Sequence, residues 1–167
     1  LGEVVREINK YSNNVMARQL FLSLDVERPA TAEGARRQIA GWLQAKNLAM
    51  PELVVDNGSG LSRSERISAE SLAQLLRAAW QSPVMPELMA SLPLAGMDGT
   101  LRKRLNGGAV SGRAHVKTGY LEGVRAIAGY VLDNSGKRWI VVCLINDPKA
   151  RLGKPAIDAL LLWVTQR

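Results

Sequence analysis

Three strand-like runs, at residues 114–116, 123–132 and 138–145, follow one another across very short connections near the C-terminus. The last connection, Asp133-Asn134-Ser135-Gly136, is hairpin chemistry: small polar residues and a glycine that tolerate left-handed backbone. Parallel strands need a crossover of about a dozen residues or more, so connections this short predict an antiparallel meander. Residues 140–145 read Ile-Val-Val-Cys-Leu-Ile. An apolar residue at every position predicts a strand covered on both faces and central in its sheet. Pro155 opens a final helix whose Ile157, Leu160, Leu161 and Val164 share a face that can pack on that sheet.

Helical spacing dominates the residues before the strands. Val4, Ile8, Tyr11 and Val15 recur at intervals of four, three and four. Ser12-Asn13-Asn14 interrupts them with side chains that compete for backbone hydrogen bonds, which predicts a helix break held between apolar anchors. Pro29 ends that region, Thr31 caps a helix carrying Ala35, Ile39, Trp42 and Leu43, and Asn47 is a left-handed stop. Leu53-Val54-Val55 reads as a short strand that empties into Asp56-Asn57-Gly58-Ser59-Gly60. That loop is read first as a tight turn and second as an anion cradle of backbone N–H groups. Ser68 caps a helix with Leu72, Leu75, Leu76 and Ala79 inward, Pro86 starts a short helix, and 100–105 forms a short basic one. Trp42, Trp80, Trp139 and Trp163 are expected to pack helices on the sheet, and Arg102-Lys103-Arg104 to be a solvated face. The fold class predicted is α/β (α+β), an antiparallel sheet flanked by helices.

Composition narrows the partners. The chain carries 22 basic and 15 acidic residues, a net charge of +7, which suits anionic or carboxylate-bearing ligands. Aromatic residues are only 5%, too few for base-stacking platforms, so nucleic acid is not expected. One Cys and one His make a poor metal site, and no metal or cofactor is expected. The longest apolar runs are too short to span a bilayer.

Chemistry concentrates at Lys117-Thr118-Gly119-Tyr120, where a strand meets a predicted cleft. Lys117 supplies a point charge, Thr118 a hydroxyl, and Gly119 lets a ligand lie against the backbone. Together with Ser12-Asn13-Asn14, the triplet resembles the second and third motifs of the penicillin-binding serine peptidases. Asp56-Asn-Gly-Ser-Gly-Leu-Ser-Arg63 and Gly96-Met-Asp-Gly-Thr-Leu101 narrow the likeness to the D-alanyl-D-alanine carboxypeptidase/endopeptidases, the class C low-molecular-mass penicillin-binding proteins. The resemblance covers essentially the whole chain.

That resemblance implies a serine-type carboxypeptidase acting on peptidoglycan peptides and acylated by β-lactams, located in the periplasm. Ser12 would relay a proton, and Asn14 would hold the acyl-side amide. Lys117 and Thr118 would bind the terminal carboxylate, Gly119 would admit the substrate, and the Tyr120 N–H would be half of an oxyanion hole. Relatives commonly have a small hydroxyl residue where Tyr120 stands. The family's nucleophile lies in a Ser-x-x-Lys motif, and no serine here has a lysine three residues later. The resemblance therefore implies the C-terminal half of a discontinuous domain, residues 1–167, whose nucleophile belongs to a missing N-terminal half. Two other classes fit the residues alone. One is a non-catalytic basic module that binds cell-wall peptides or polyanions, and the other an esterase using Ser59 or Ser111.

Overall fold

A computed structural model describes all residues 1–167. Strands β1 (Ala114–Leu121), β2 (Val124–Leu132) and β3 (Arg138–Asn146) form one antiparallel sheet in the order β1-β2-β3. The meander is as expected, with two differences. β1 does not stop at Val116 but continues through the lysine triplet, because Lys117, Thr118, Gly119 and Tyr120 each face a partner on β2. The second difference concerns the strand expected to be central. β2 is the middle strand, and β3 pairs with β2 alone.

Helices on both faces, rather than strands on both sides, explain why β3 is apolar throughout. On one face α6 (Lys154–Thr165) lays Ile157, Leu161 and Val164 against Val116, Ile127, Val131 and Val141, all buried. Each such side chain stabilises by about 1.5–3 kcal/mol relative to exposure. On the other face α4 (Ala69–Trp80) packs against β2 and β3. The buried Tyr130 donates its hydroxyl to the Leu76 carbonyl at 2.7 Å, with the Trp80 ring 5.4 Å from its own.

The remaining helices follow their punctuation. They are α1 (Gly2–Tyr11), α2 (Asn14–Leu22), α3 (Ala32–Ala45) and α5 (Met85–Ser91). Thr31 and Ser68 each accept the N–H three residues on, capping α3 and α4, and Asn47 is left-handed at φ 54°. Pro86 and Pro155 stand in the first turns of α5 and α6.

Several expectations fail where tertiary packing decides. Leu53-Val54-Val55 is no strand, because only Val54 pairs with another stretch of extended backbone, in an isolated bridge to Arg66. The basic helix at 100–105 is reduced to a 3₁₀ turn, Gly99–Leu101, and Leu105 is left-handed at φ 59°. Arg104 is not solvated. Its Nη2 lies 2.6 Å from the Asp158 carboxylate of α6, with a side chain only 18% exposed. Of the tryptophans, Trp139 packs against the core and Trp80 packs α4 on the Tyr130 ring of the sheet, whereas Trp42 and Trp163 are exposed.

The 133–137 turn is tied by one carboxylate. Buried Asp133 accepts from the Ser135 hydroxyl, the Ser135 and Lys137 amides and the Trp139 indole at 2.7–2.9 Å. The Trp139 bond leads in holding its pKa at about 2, against the opposing cost of burial. A carboxyl depressed on folding stabilises fully above its ordinary pKa near 4, and that contribution disappears as pH falls toward 2. Acid titration of Tm should therefore show a decline between about pH 4 and 2 that is shallower in Asp133→Asn. Equal slopes for the two proteins would rule out this carboxylate as the acid-labile tie.

The outer edge of β3 pairs with no other strand. Such an edge templates association between copies. The chain alone should bind a hydrophobic dye and sediment with concentration-dependent mass. A dye-negative monomer at all concentrations would contradict this.

Candidate active site

Two elements from opposite ends of the chain meet in one cleft. α1 ends on Ser12, a non-glycine residue in left-handed conformation at φ 53°, ψ 47°. Asn13 at once caps α2, its side chain accepting the Met16 N–H at 3.0 Å. The break expected at the polar triplet is thus a sharp two-residue corner between helices. It presents Ser12 to the sheet: Lys117 Nζ donates to Ser12 Oγ at 2.5 Å, bridging 105 residues.

Lys117 also donates to the Thr118 carbonyl at 3.0 Å. Its burial lowers the pKa below the ordinary lysine range, and no carboxylate contact offsets that cost. An ammonium can only donate, so Ser12 Oγ accepts from it and keeps its own proton free for another group.

Asn14, at the start of α2, donates from Nδ2 to the Ser59 carbonyl at 2.6 Å. This ties the 56–60 loop to the cleft. The loop is a turn, as first expected, stiffened by Ser59 N–H on Asn57 Oδ1 at 3.0 Å and Gly58 N–H on Glu65 Oε1 at 3.2 Å. It is also a wall of the site, which the turn reading missed. Gly58 sits at φ 68° so close to Phe21 that a Cβ would lie 2.5 Å from that ring's own Cβ.

The opposite wall is β1. Residues 93–95 cover its outer edge as far as Val116, whose N–H bonds the Pro93 carbonyl at 3.0 Å. Past Val116 that edge opens onto the cleft. Backbone groups alternate along a strand, so the N–H and C=O of Thr118 and Tyr120 point the same way as those of Val116. The cleft encloses about 530 Å³, with Ser12, Asn14, Ser59, Lys117, Thr118, Gly119 and Tyr120 among its lining residues. All six residues singled out in the sequence therefore border one space. The Tyr120 ring is 70% exposed and stacks under the Arg125 guanidinium, 3.5 Å from its centre.

Of the other residues, His115 and Ser111 lie outside the cleft lining, whereas Ser59 borders it. His115 Nδ1 lies 3.1 Å from the Met89 carbonyl, and burial lowers its pKa. Ser59 Oγ accepts the Leu61 N–H. Sequence reasoning missed Thr100 in the lining, and missed Lys10, a buried cation at the end of α1.

Residues 1–167 match, over their whole length, the model of the D-Ala-D-Ala carboxypeptidase 3 (S13) family. The chain belongs to that family. It is 34% identical to a carboxypeptidase, DacB, of Mycolicibacterium smegmatis, over 96% of this chain and 36% of the relative. It is 33% identical to the D-alanyl-D-alanine carboxypeptidase of Actinomadura sp., over 82% of this chain and 27% of the relative. The chain thus spans about a third of the length of the curated relatives it matches. In fold it is similar to penicillin binding protein 4 of Haemophilus influenzae in complex with a β-lactam. The TM-score is 0.82 at 23% identity, over 95% of this chain and 41% of that one. A penicillin G-acylated predatory endopeptidase of Bdellovibrio bacteriovorus, bound to an immunity protein, superposes at TM-score 0.76 and 20% identity, over 99% of this chain and 45% of that one. The antiparallel sheet with flanking helices is therefore a fold shared with these solved proteins.

Within this S13 chain the Gly58 approach is a direct test of the loop wall. Gly58→Ala should lower stability by about 1–3 kcal/mol, combining left-handed strain with overpacking against Phe21. Urea unfolding measures it. A loss below a few tenths would mean that the loop is not held as described.

Proposed function

We propose that this chain supplies the substrate-binding and proton-relay half of a serine-type D-Ala-D-Ala carboxypeptidase/endopeptidase. Its substrates are peptidoglycan stem peptides, and β-lactams acylate the same site. The observation that carries the reading is the Lys117–Ser12 hydrogen bond at 2.5 Å, in a chain of the S13 family.

Each residue has a role that its surroundings support. A serine outside these 167 residues attacks the carbonyl carbon between the two D-alanines, forming an acyl-enzyme as the C–N bond breaks. Ser12, with its oxygen held by Lys117, passes its proton to the departing amine and is reprotonated from the nucleophile's side. Lys117 and the Thr118 hydroxyl hold the substrate's terminal carboxylate, a role in keeping with a cation that lacks a carboxylate of its own. Asn14 spends one N–H on Ser59 and keeps another, with its oxygen, for the substrate amide. Gly119 leaves room for the substrate backbone, and the outward Tyr120 N–H is one oxyanion donor. Water then resolves the acyl-enzyme. Peptidoglycan lies outside the cytoplasmic membrane, so the reading carries a periplasmic location. No helix of the chain is long and apolar enough to cross a membrane.

Fluorescent penicillin tests this reading. The chain alone should form no covalent adduct, and supplying the upstream half should produce labelling on that half only. Lys117→Ala should slow acylation by about a hundredfold or more, the scale of losing one preorganised electrostatic contact. Lys117→Arg should not restore it, because a planar fork cannot replace a point charge. Stoichiometric labelling of Ser12 would overturn the relay assignment, and an unlabelled, folded reconstituted protein would overturn the reaction. Binding to anionic polymers that collapses with salt, without labelling, would favour a basic binding module instead.

A further inference from the structure

Ser12 is aimed by a residue two positions earlier that never touches the cleft. Lys10 closes the last turn of α1 with a side chain only 6% exposed. Its Nζ donates to Asp98 Oδ2 at 2.6 Å and to the Leu92 carbonyl at 2.6 Å. The other oxygen of Asp98 accepts the Leu94 N–H at 2.8 Å. Leu94 lies in the segment that pairs with β1, through its bridge to His115 and the Val116–Pro93 bond. One carboxylate thus joins the end of α1, which presents Ser12, to the segment bordering the strand that presents Lys117.

Two contacts show that this junction is built closely. Gly99, next to Asp98, is at φ 55° and approaches the helix end so nearly that a Cβ would lie 2.6 Å from the Lys10 carbonyl oxygen. One residue earlier on α1, Asn9 Nδ2 donates to Ser91 Oγ at 2.8 Å, a second tie to the same region. Thr100, directly beyond Gly99, lines the cleft itself.

We propose that the Lys10–Asp98 ion pair is a positioning device that sets the reach between Ser12 Oγ and Lys117 Nζ. Burying Lys10 is costly without its partner, whereas an apolar pair of similar volume often packs as stably as an ion pair. What the ions add is direction. Asp98 must face Lys10 and Leu94 together, which allows one register of α1 against the β1 border. The corner at Ser12 inherits that register because it follows Lys10 by two residues.

The catalytic consequence rests on the reading of the site given above, whereas the geometry does not. Asp98→Asn retains an oxygen for the Leu94 amide and removes the charge that orders Lys10. In the full-length protein it should lower the limiting rate of penicillin acylation about tenfold or more, as expected for a small misplacement of reacting groups. The half-saturating penicillin concentration should stay within about threefold, because the loss falls on the transition state. A folded variant with reduced Tm but an unchanged limiting rate overturns the proposal and leaves the pair a purely structural tie. Should the single change prevent folding, Lys10→Met/Asp98→Leu removes both charges together and carries the same expectations. If the wild-type protein is never acylated, the reaction reading fails, and a crystal structure of the double variant decides the geometry alone. A Ser12–Lys117 separation beyond about 3.5 Å supports the positioning role, and an intact hydrogen bond with unchanged cleft walls overturns it.

Discussion

The hydrogen bond from Lys117 to Ser12 joins the sheet to the helical region across 105 residues, and much of the architecture can be understood as holding its two ends. On the sheet side, Lys117 is fixed because β1 runs on past Val116 and pairs with β2 as far as Leu121. On the helical side, Ser12 is fixed because α1 stops in left-handed backbone and α2 begins two residues later. Left-handed serine is locally unfavourable, so the corner persists only where its surroundings insist on it. The Asn13 cap, the Asn14–Ser59 bond and the buried Lys10 provide that insistence.

Burial gives this contact its chemical character. Taking Lys117 out of water disfavours its charge, and the Ser12 hydroxyl and Thr118 carbonyl offer it only neutral acceptors. Asp98 shows the contrasting solution in the same molecule. Burial opposes its charge too, but the hydrogen bond from Lys10 and the Leu94 amide outweigh it and hold the carboxyl below its ordinary range. One cation is paired with an internal carboxylate, and the other lacks an anionic partner in the cleft. An anionic ligand meets Lys117 without having to displace an internal carboxylate.

The features legible in the sequence were those written locally. Caps at Thr31 and Ser68, prolines at 86 and 155, the left-handed Asn47 and the 133–136 hairpin each depend on a few neighbouring residues, and each forms. The lysine triplet and polar triplet were legible as motifs, though their juxtaposition belongs to tertiary structure. What failed to show was coverage. A run such as Ile140 to Ile145 reports that both faces are covered, but helices above and below cover an edge strand as well as a central one. Trp42 and Trp163 follow the same logic: helical spacing assigns a face, yet nothing local says what lies against it. Lys10 gave no signal because its partner is 88 positions away.

These contacts bear on how a nucleophile would meet the site. The Ser12 corner, the 56–60 loop and the open stretch of β1 are all held by bonds within these 167 residues. In the proposed enzyme the part bearing the serine would then dock against a cleft that is already formed. Preorganisation of this kind lowers the cost of reaching the transition state, since the relay and the carboxylate-binding groups need no rearrangement when substrate arrives. It also separates two classes of damage. Substitutions along the unpaired edge of β3 should disturb association while leaving the cleft intact, because the cleft draws its order from the opposite edge of the sheet and from α1. Substitutions at the Asp98 junction should act in the opposite sense, on the chemistry and not on assembly.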